Sequence, residues 1–436
     1  MKRITFVLLV AVSTFVFATK AHAQISADQA SRLEESLTRD PNDLAARAQL
    51  LRYYFAVGGR QLSPEAARQA RLRHILWLVQ NHPESELASL SEATIDPAGH
   101  PLADQEGYAK VKALWLEQAE KHKDNAVLLA NAAWFFKLPD KPIAARLLKR
   151  ARAVDPGNQK WSELLGFVYA VGIVGLTGMN QNGFPTAADP DEARGSFAQQ
   201  AREELAKSQD AAVVGAAGNR LWFLGSILSA SGKAPPDCLD LAEQLLARAQ
   251  ALDPGNPAWP QSLAQVYALR ALKPASPEER AALARKRLET LEKGPDTVKL
   301  GLSTLTDLAT AAFDAGEFEK GETYARRLLE VASQNRSDPL YGTAIHHGNL
   351  ILGRLALRAG DMQKAKSFLL AAGRTPGGAT LSSFGPNMSL AKELLERGEK
   401  QAVLEYLELC KSFWTFPRNP LARISHQKGT RSEGWE

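Results

Sequence analysis

Two adjacent histidines, His346 and His347, are the first residues of this chain whose type and spacing suggest chemistry. Histidine is the commonest metal ligand and the usual general base near neutral pH. A zinc site on a helix needs two histidines four residues apart, because adjacent helical residues point about 100° away from each other. No two histidines of the sequence have that spacing, and no H-E-x-x-H motif occurs. We therefore predict no metal site, and we expect His346 to be a packing residue.

Other patterns typical of catalysis are missing from the sequence as well. There is no G-x-S-x-G motif, and neither cysteine stands in a catalytic context. The glycines of "GFVYAVGIVGLTG" lack the phosphate-binding fingerprint of a nucleotide site. Carboxylates are scattered, with no pair that resembles an acid and a base. We predict that the protein is not an enzyme and that it has no cofactor.

Charge and cysteine content narrow the class of partner. The formal charge is +5, and it falls to +2 when Lys2, Arg3 and Lys20 are removed with the leader. A nearly neutral chain with interspersed charges gives no electrostatic reason to expect nucleic-acid binding. Cys238 and Cys410 could form one bridge, but we expect two packed thiols, since exported disulfide scaffolds contain many more cysteines.

The first 23 residues have the pattern of a secretory signal peptide. "MKR" is a basic start, "ITFVLLVAVSTFVFA" is a short apolar stretch, and "AHA" is a small-x-small cleavage site. We predict cleavage near Gln24, a periplasmic or secreted mature protein, and no stable membrane insertion afterwards. The apolar run is short for a retained anchor, which needs roughly 20 apolar residues.

The remaining chain consists of repeated helical segments. The stretches "ARAVDPGNQKW" (151–161) and "AQALDPGNPAW" (249–259) echo each other, and "LTRDPNDLAA" (37–46) is a weaker copy. In each, a helical pattern runs into Asp-Pro and then restarts, because proline cannot continue a helix but suits the first turn of the next. Apolar residues between these breaks follow the i, i+3, i+4, i+7 spacing of helices. The spacing predicts an all-α chain of helix hairpins.

The segment "DNAVLLANAAWFFKLPDKPIAARLLKRARAVDPGN" resembles a tetratricopeptide repeat, a helix–turn–helix unit of about 34 residues. Asn131 stands where that family has leucine. The next unit has Gly166 at a family position, and further units begin near Leu302, His346 and Phe384. The resemblance implies a right-handed α-solenoid of about 8 hairpins over residues 24–414, similar to exported bacterial proteins of this repeat type. The family's signature positions in the first unit are Leu128, Ala132, Phe135, Ala144, Leu148, Ala151 and Pro156, and those in the last include Leu394, Leu407 and Cys410.

The same resemblance implies a binding groove. In that family, fixed positions of each first helix line a concave surface. His347, Arg354 and Arg358 would then form a cationic stripe that could bind a carboxylate or an acidic peptide. Alternatively, Arg354 and Arg358 pair with neighbouring acids on a solvated face. The groove positions implied in three units are His347, Leu350, Arg354, Leu357 and Arg358, then Phe136 and Lys137, then Phe313.

Three insertions, at 91–107, 175–193 and 231–238, interrupt the repeat pattern, and the stretch 415–436 loses it. Such insertions lie on one face of a repeat array, often the binding face, although tolerated surface loops are common. Asn180, Asn182 and Phe184 in the second insertion could form a small-ligand site near Trp161 and Tyr169. The stretch 415–436 is expected to be a disordered basic tail, or a frame-shifted end.

Three hypotheses about function therefore remain open. We favour an exported scaffold that binds a protein or a peptide without catalysis. The first alternative is a small-ligand receptor or enzyme with its site under the 175–193 insertion. The second is a structural or self-assembling spacer.

Overall fold

The computed structural model describes residues 25–57, 62–98, 102–179, 184–272, 276–294 and 301–414. The predicted leader and the predicted basic tail lie outside these residues. The chain divides into two compact units, an N-terminal unit that ends at Pro254 and a C-terminal unit that begins at Gly255.

Ten α-helices form most of the described N-terminal unit. Most of them pack against the next helix of the chain, and the ninth packs against the seventh and the tenth. A two-stranded antiparallel hairpin, with β1 at Leu176–Met179 and β2 at Pro185–Ala188, lies between the seventh and the eighth helix. The helices are α1 Ala27–Arg39, α2 Leu44–Val57, α3 Pro64–Asn81, α4 Gln105–Lys121, α5 Ala126–Phe136, α6 Lys141–Val154, α7 Gln159–Ile173, α8 Ser196–Lys207, α9 Ala211–Ala230 and α10 Cys238–Leu252.

Nine α-helices form the described part of the C-terminal unit. The first six pack in sequence, and the last packs against the sixth and the eighth. The predicted all-α class, a chain built from consecutive helix hairpins, is thus confirmed. The helices are α11 Ala258–Arg270, α12 Pro277–Glu292, α13 Leu302–Ala315, α14 Phe318–Gln334, α15 Tyr341–Arg358, α16 Met362–Gly373, α17 Ala379–Phe384, α18 Ser389–Glu396 and α19 Lys400–Cys410.

The Asp-Pro-Gly-Asn sequences end one helix and begin the next, as predicted. Asp155 is the C-cap of α6, and its N–H donates to the carbonyl of Ala151. Asn158 is the N-cap of α7, where its Oδ1 accepts the N–H of Lys160 at 3.2 Å. Because the first N–H groups of a helix have no partner within it, this side chain stabilises the restart.

Six of the seven repeat signature positions of the first unit are core positions, and the seventh, Pro156, is exposed. Leu128, Ala132, Phe135, Ala144, Leu148 and Ala151 are all buried. Asn131, which departs from the signature, is buried too, and its Nδ2 donates to the carbonyls of Pro83 and Ser85, each at 3.0 Å. It thereby ties α5 to the preceding loop. In the last unit the signature position Leu407 is 38% exposed, whereas the adjacent Tyr406 is buried.

Close approach of helices explains the glycine of the repeat signature in the second unit. A Cβ on Gly166 of α7 would lie 2.3 Å from the carbonyl oxygen of Val213 and 2.9 Å from the amide nitrogen of Ala217, both on α9. A Cβ atom does not approach a non-bonded atom that closely, so α7 and α9 pack at this distance only with glycine there.

A polar network anchors α1 to α2 and α3. Oε1 of Glu34 accepts hydrogen bonds from the Tyr54 hydroxyl at 2.7 Å, from Arg73 at 2.8 Å and from Nε2 of His74 at 2.9 Å. Arg47 lies 3.1 Å from Nδ1 of His74. Because a guanidinium can only donate, Nδ1 accepts and the ring proton of His74 sits on Nε2. Glu34 therefore completes a chain of paired polar groups in a largely buried site.

One described helix, α9, is long and apolar enough by composition to cross a membrane. In the structure 67% of that apolar stretch, Ala211–Ser229, is buried, and α9 packs against α7 and α10. Its composition is therefore accounted for by its place in the core of the N-terminal unit.

Candidate binding surface

In the C-terminal unit, polar side chains join α13 to both helices of the preceding hairpin, α11 and α12. The amide of Gln265 on α11 donates to Asp307 on α13 at 3.1 Å, and Arg287 on α12 donates to the other oxygen of Asp307 at 2.6 Å. Gln261 donates to the hydroxyl of Thr304 at 3.2 Å. We call this side of the C-terminal unit the first-helix face. It consists of the polar groups just described together with His347, Arg354 and Arg358 of α15.

Two arginines of α15 lie on the first-helix face, each against an aromatic ring. Arg354 binds Glu393 of α18 through Nε at 2.9 Å and through a second nitrogen at 2.7 Å, and its guanidinium carbon lies 4.1 Å from the centre of the Phe313 ring. Arg358 is exposed, with its guanidinium carbon 4.0 Å from the ring centre of Phe318. Within the described residues Arg358 has no carboxylate partner. Both guanidinium groups are therefore held in place, and that of Arg358 remains open to an anion.

His347 lies on the same helix and is partly exposed. Its Nδ1 is 2.9 Å from the carbonyl oxygen of Thr343, so Nδ1 donates and Nε2 is left as an acceptor in the neutral ring. Burial lowers the pKa of His347 below its usual value, although the backbone hydrogen bond and Asp307 act in the opposite direction. A lowered pKa favours the neutral ring, so the positive charge of the predicted stripe lies mainly on the two arginines.

Several predicted groove residues face the core. Leu350, Leu357 and Phe136 are 2%, 2% and 0% exposed, which removes them from the candidate surface. Phe313 is also buried, but its ring supports Arg354. Lys137 is buried, and its ammonium donates to the carbonyl of Trp134 at 3.1 Å and lies 4.1 Å from the centre of the Trp134 ring.

His346 is fully buried, as expected of a packing residue. Its Nε2 is 3.0 Å from the hydroxyl of Tyr406, and its Nδ1 has no hydrogen-bond partner among the described residues. Burial, reinforced by the neighbouring His347, lowers the pKa of His346 well below its usual value. The ring is thus a neutral element of the core that ties α15 to α19.

Both cysteines are free thiols in the structure, and both are buried. Sγ of Cys238 donates to the carbonyl of Leu221 at 3.3 Å, and Cys410 belongs to a core cluster of the C-terminal unit. Burial raises the pKa of the Cys238 thiol to about 12 and that of Cys410 to about 11. Neither thiol is therefore a reactive nucleophile at neutral pH, and the expectation of two packed thiols is confirmed.

In the N-terminal unit, the 175–193 insertion forms the β1–β2 hairpin. Phe184 is 40% exposed, and its ring centre lies 5.8 Å from that of Phe223 on α9. The expected neighbours of Phe184 have other partners, because Trp161 donates to Asp155 and Tyr169 donates to Glu204. Asn180 and Asn182 lie outside the described residues. Of the three residues of the predicted insertion-loop site, the structure therefore describes Phe184, which lies against Phe223 rather than near Trp161 and Tyr169.

The sequence interpretation missed a further cation beside Phe223. The guanidinium carbon of Arg220 lies 4.7 Å from the ring centre of Phe167 on α7 and 5.4 Å from that of Phe223. The Phe167 ring centre is in turn 5.5 Å from that of Trp134 on α5. The available signal was an arginine inside an apolar helix, "AAVVGAAGNRLWFLGSILSA", but the pattern does not reveal which rings from other helices surround it.

Comparison with models of protein families gives no match, and no curated protein matches. Solved structures with a similar chain path include the human IFIT1 dimer with PPP-AAAA, at 16% identity and a TM-score of 0.37, covering 93% of this chain and 94% of that one. Yeast Tom70 is similar at 15% identity and a TM-score of 0.31, covering 93% of this chain and 86% of that one. These similarities carry no information about ligands of this chain.

Proposed function

We propose that this protein is an exported, non-catalytic scaffold that binds an acidic segment of a protein or peptide on the first-helix face of its C-terminal unit. The observation that supports the proposal most directly is the exposed guanidinium of Arg358, which is held against Phe318 and has no carboxylate partner in the described chain. An arginine ordered by a ring loses less side-chain entropy when it binds a carboxylate.

The surroundings of Arg358 favour a segment with mixed polarity. Arg354 shares its charge with Glu393, so an incoming carboxylate would compete with an existing partner there. Asp314 adds a carboxyl group to the same face. Desolvation raises its pKa, although Arg354, Arg287 and Arg280 act to lower it. A partner with one carboxylate near Arg358 and a donor group near Asp314 would satisfy both.

The test is fluorescence anisotropy with labelled ten-residue peptides rich in Asp and Leu, compared with Asn-for-Asp versions. We expect the acidic peptides to bind the wild-type protein. The Arg358→Ala substitution should weaken their binding about tenfold, because a charge-assisted contact is lost. The matched control is Arg326→Ala, because Arg326 is exposed on α14 and pairs with Glu322 one turn away. Equal binding by wild type and Arg358→Ala would refute the assignment.

Export is part of the same proposal and rests on the leader pattern of residues 1–23. The full chain should be expressed in a Gram-negative bacterium, and the periplasmic and culture fractions should be analysed by mass spectrometry. We expect a mature N-terminus at Gln24. An uncleaved protein in the cytoplasm would refute this part while leaving the peptide test intact.

A further inference from the structure

Arg220 is a cation enclosed by aromatic rings in the N-terminal unit. Its guanidinium lies against Phe167 and Phe223, and within the described residues it has no hydrogen bond and no carboxylate partner. Other partly buried arginines of this unit do have such partners: Arg152 pairs with Asp210 and Arg202 pairs with Asp237. A half-buried charge without a counter-ion is costly unless something else supplies one.

The charge of Arg220 persists at neutral pH. Burial lowers its pKa to about 10, which still leaves the group protonated at pH 7. The rings provide part of the compensation through their negative faces. They do not accept the in-plane N–H groups, which are the groups that bind a carboxylate in a bidentate manner.

Apolar surface and space lie next to this charge. Phe184 of the hairpin covers Phe223 and is 40% exposed. One helical turn beyond Phe223, Ile227 begins an open recess of about 350 Å³ between β2 and the end of α9. That volume lies within the range of small-molecule sites. The recess is lined by Pro185, Thr186, Ala187, Ala188, Ile227, Leu228, Ser231 and Lys233.

We propose that Arg220, Phe184 and strand β2 form a second binding site, which takes a carboxylate attached to an aromatic or branched apolar group. The carboxylate binds the N–H groups of Arg220, and the apolar group packs against Phe184, which precedes Pro185 at the edge of the recess. Two sources share this chemistry, namely a free aromatic acid and the C-terminal aromatic residue of a peptide. The site does not depend on the first-helix face, since its residues all belong to the N-terminal unit.

The proposal predicts a charge requirement that can be measured on the wild-type protein alone. Calorimetric titration with 3-phenylpropionate and with its neutral amide compares two probes of nearly equal shape. We expect the acid to bind at least tenfold more tightly than the amide, and acetate to bind more weakly than the aromatic acid. Equal affinity for acid and amide, or no binding of the acid at 10 mM, would overturn the proposal.

Substitutions test whether Arg220 and Phe184 bind 3-phenylpropionate. Arg220→Met keeps the length and apolar stem of the side chain, and we expect it to weaken binding of 3-phenylpropionate at least tenfold. Phe184→Ala, at an exposed position, should weaken binding of the aromatic acid several-fold and leave binding of acetate unchanged. The control Arg146→Met changes an exposed arginine on α6 and should have no effect. If Arg220→Met does not fold, the Phe184→Ala result and the acid–amide comparison still decide.

The two sources of the carboxylate are separated by a third comparison. A tetrapeptide ending in phenylalanine is titrated with a free and with an amidated C-terminus. Tighter binding of the free peptide than of 3-phenylpropionate supports a peptide end, and weaker binding supports a free acid. Unchanged acid affinity in Arg220→Met would overturn the site for both sources.

Discussion

Replacing Glu34 with glutamine should loosen helix α1 at neutral pH, and by progressively less as the pH falls. The carboxylate accepts hydrogen bonds from Tyr54, Arg73 and His74. Burial raises its pKa, but the hydrogen bonds and the charges around it prevail and lower the pKa from 4.5 to about 2. A carboxyl whose pKa is depressed in the folded state stabilises that state above its unfolded pKa, and the stabilisation is lost as the pH falls towards the folded pKa.

The magnitude follows from these two pKa values. A shift from 4.5 to about 2 corresponds to roughly 3 kcal/mol at pH 7, at 1.36 kcal/mol for each pKa unit. At pH 3.5 about 1.4 kcal/mol of this is lost, because the unfolded carboxyl is then mostly protonated. The side chain of Glu34 is 26% exposed, and solvent screening reduces the expected loss of stability between pH 7 and pH 3.5 to about 1 kcal/mol.

Hydrogen exchange measured by mass spectrometry on peptides from α1 reports this local opening. The ratio of wild-type to Glu34→Gln protection at the same pH should fall three- to tenfold between pH 7 and pH 3.5. The control Glu35→Gln changes the next residue of α1, which is exposed, and should leave the ratio near one at both pH values. A Glu34→Gln ratio independent of pH would refute the anchoring role of the carboxylate.

Further predictions concern the packing of helices and buried side chains within each unit. Gly166→Ala should destabilise the protein in urea unfolding by about 1–3 kcal/mol because α7 and α9 must separate, whereas Gly157→Ala, with nothing within 4 Å of the new Cβ, should change it by less than about 0.5 kcal/mol. Tyr406→Phe removes the partner of the His346 Nε2, and a cost of about 1–3 kcal/mol is expected, so an unchanged unfolding midpoint would contradict this role. The two buried cysteines should react with Ellman's reagent only after unfolding, and the absence of any reaction in urea would indicate a bridge.

The candidate surface was only partly predictable. Arg354 and Arg358 follow from the repeat register and do lie together on one helix face. Leu350 and Leu357 were assigned to the same face, but they are buried against α16 and α18 in the core cluster. A seven-residue spacing places residues on one side of a helix, yet it does not say how wide a stripe the neighbouring helices cover. The pKa of His347 was equally hidden from the sequence, because the burial that lowers it comes from packing against other helices.

The sequence by itself determined the local elements: where helices begin and end, that they pair into hairpins, and which small residues allow close packing. These features depend on hydrogen bonds and contacts within a few residues, such as the Asn158 cap. Only the tertiary structure decided which cations have partners. Arg220 meets Phe167, which is 53 residues earlier in the sequence, because α7 and α9 pack side by side. Burial and pairing are set by such contacts between distant segments, and a single sequence records them only indirectly.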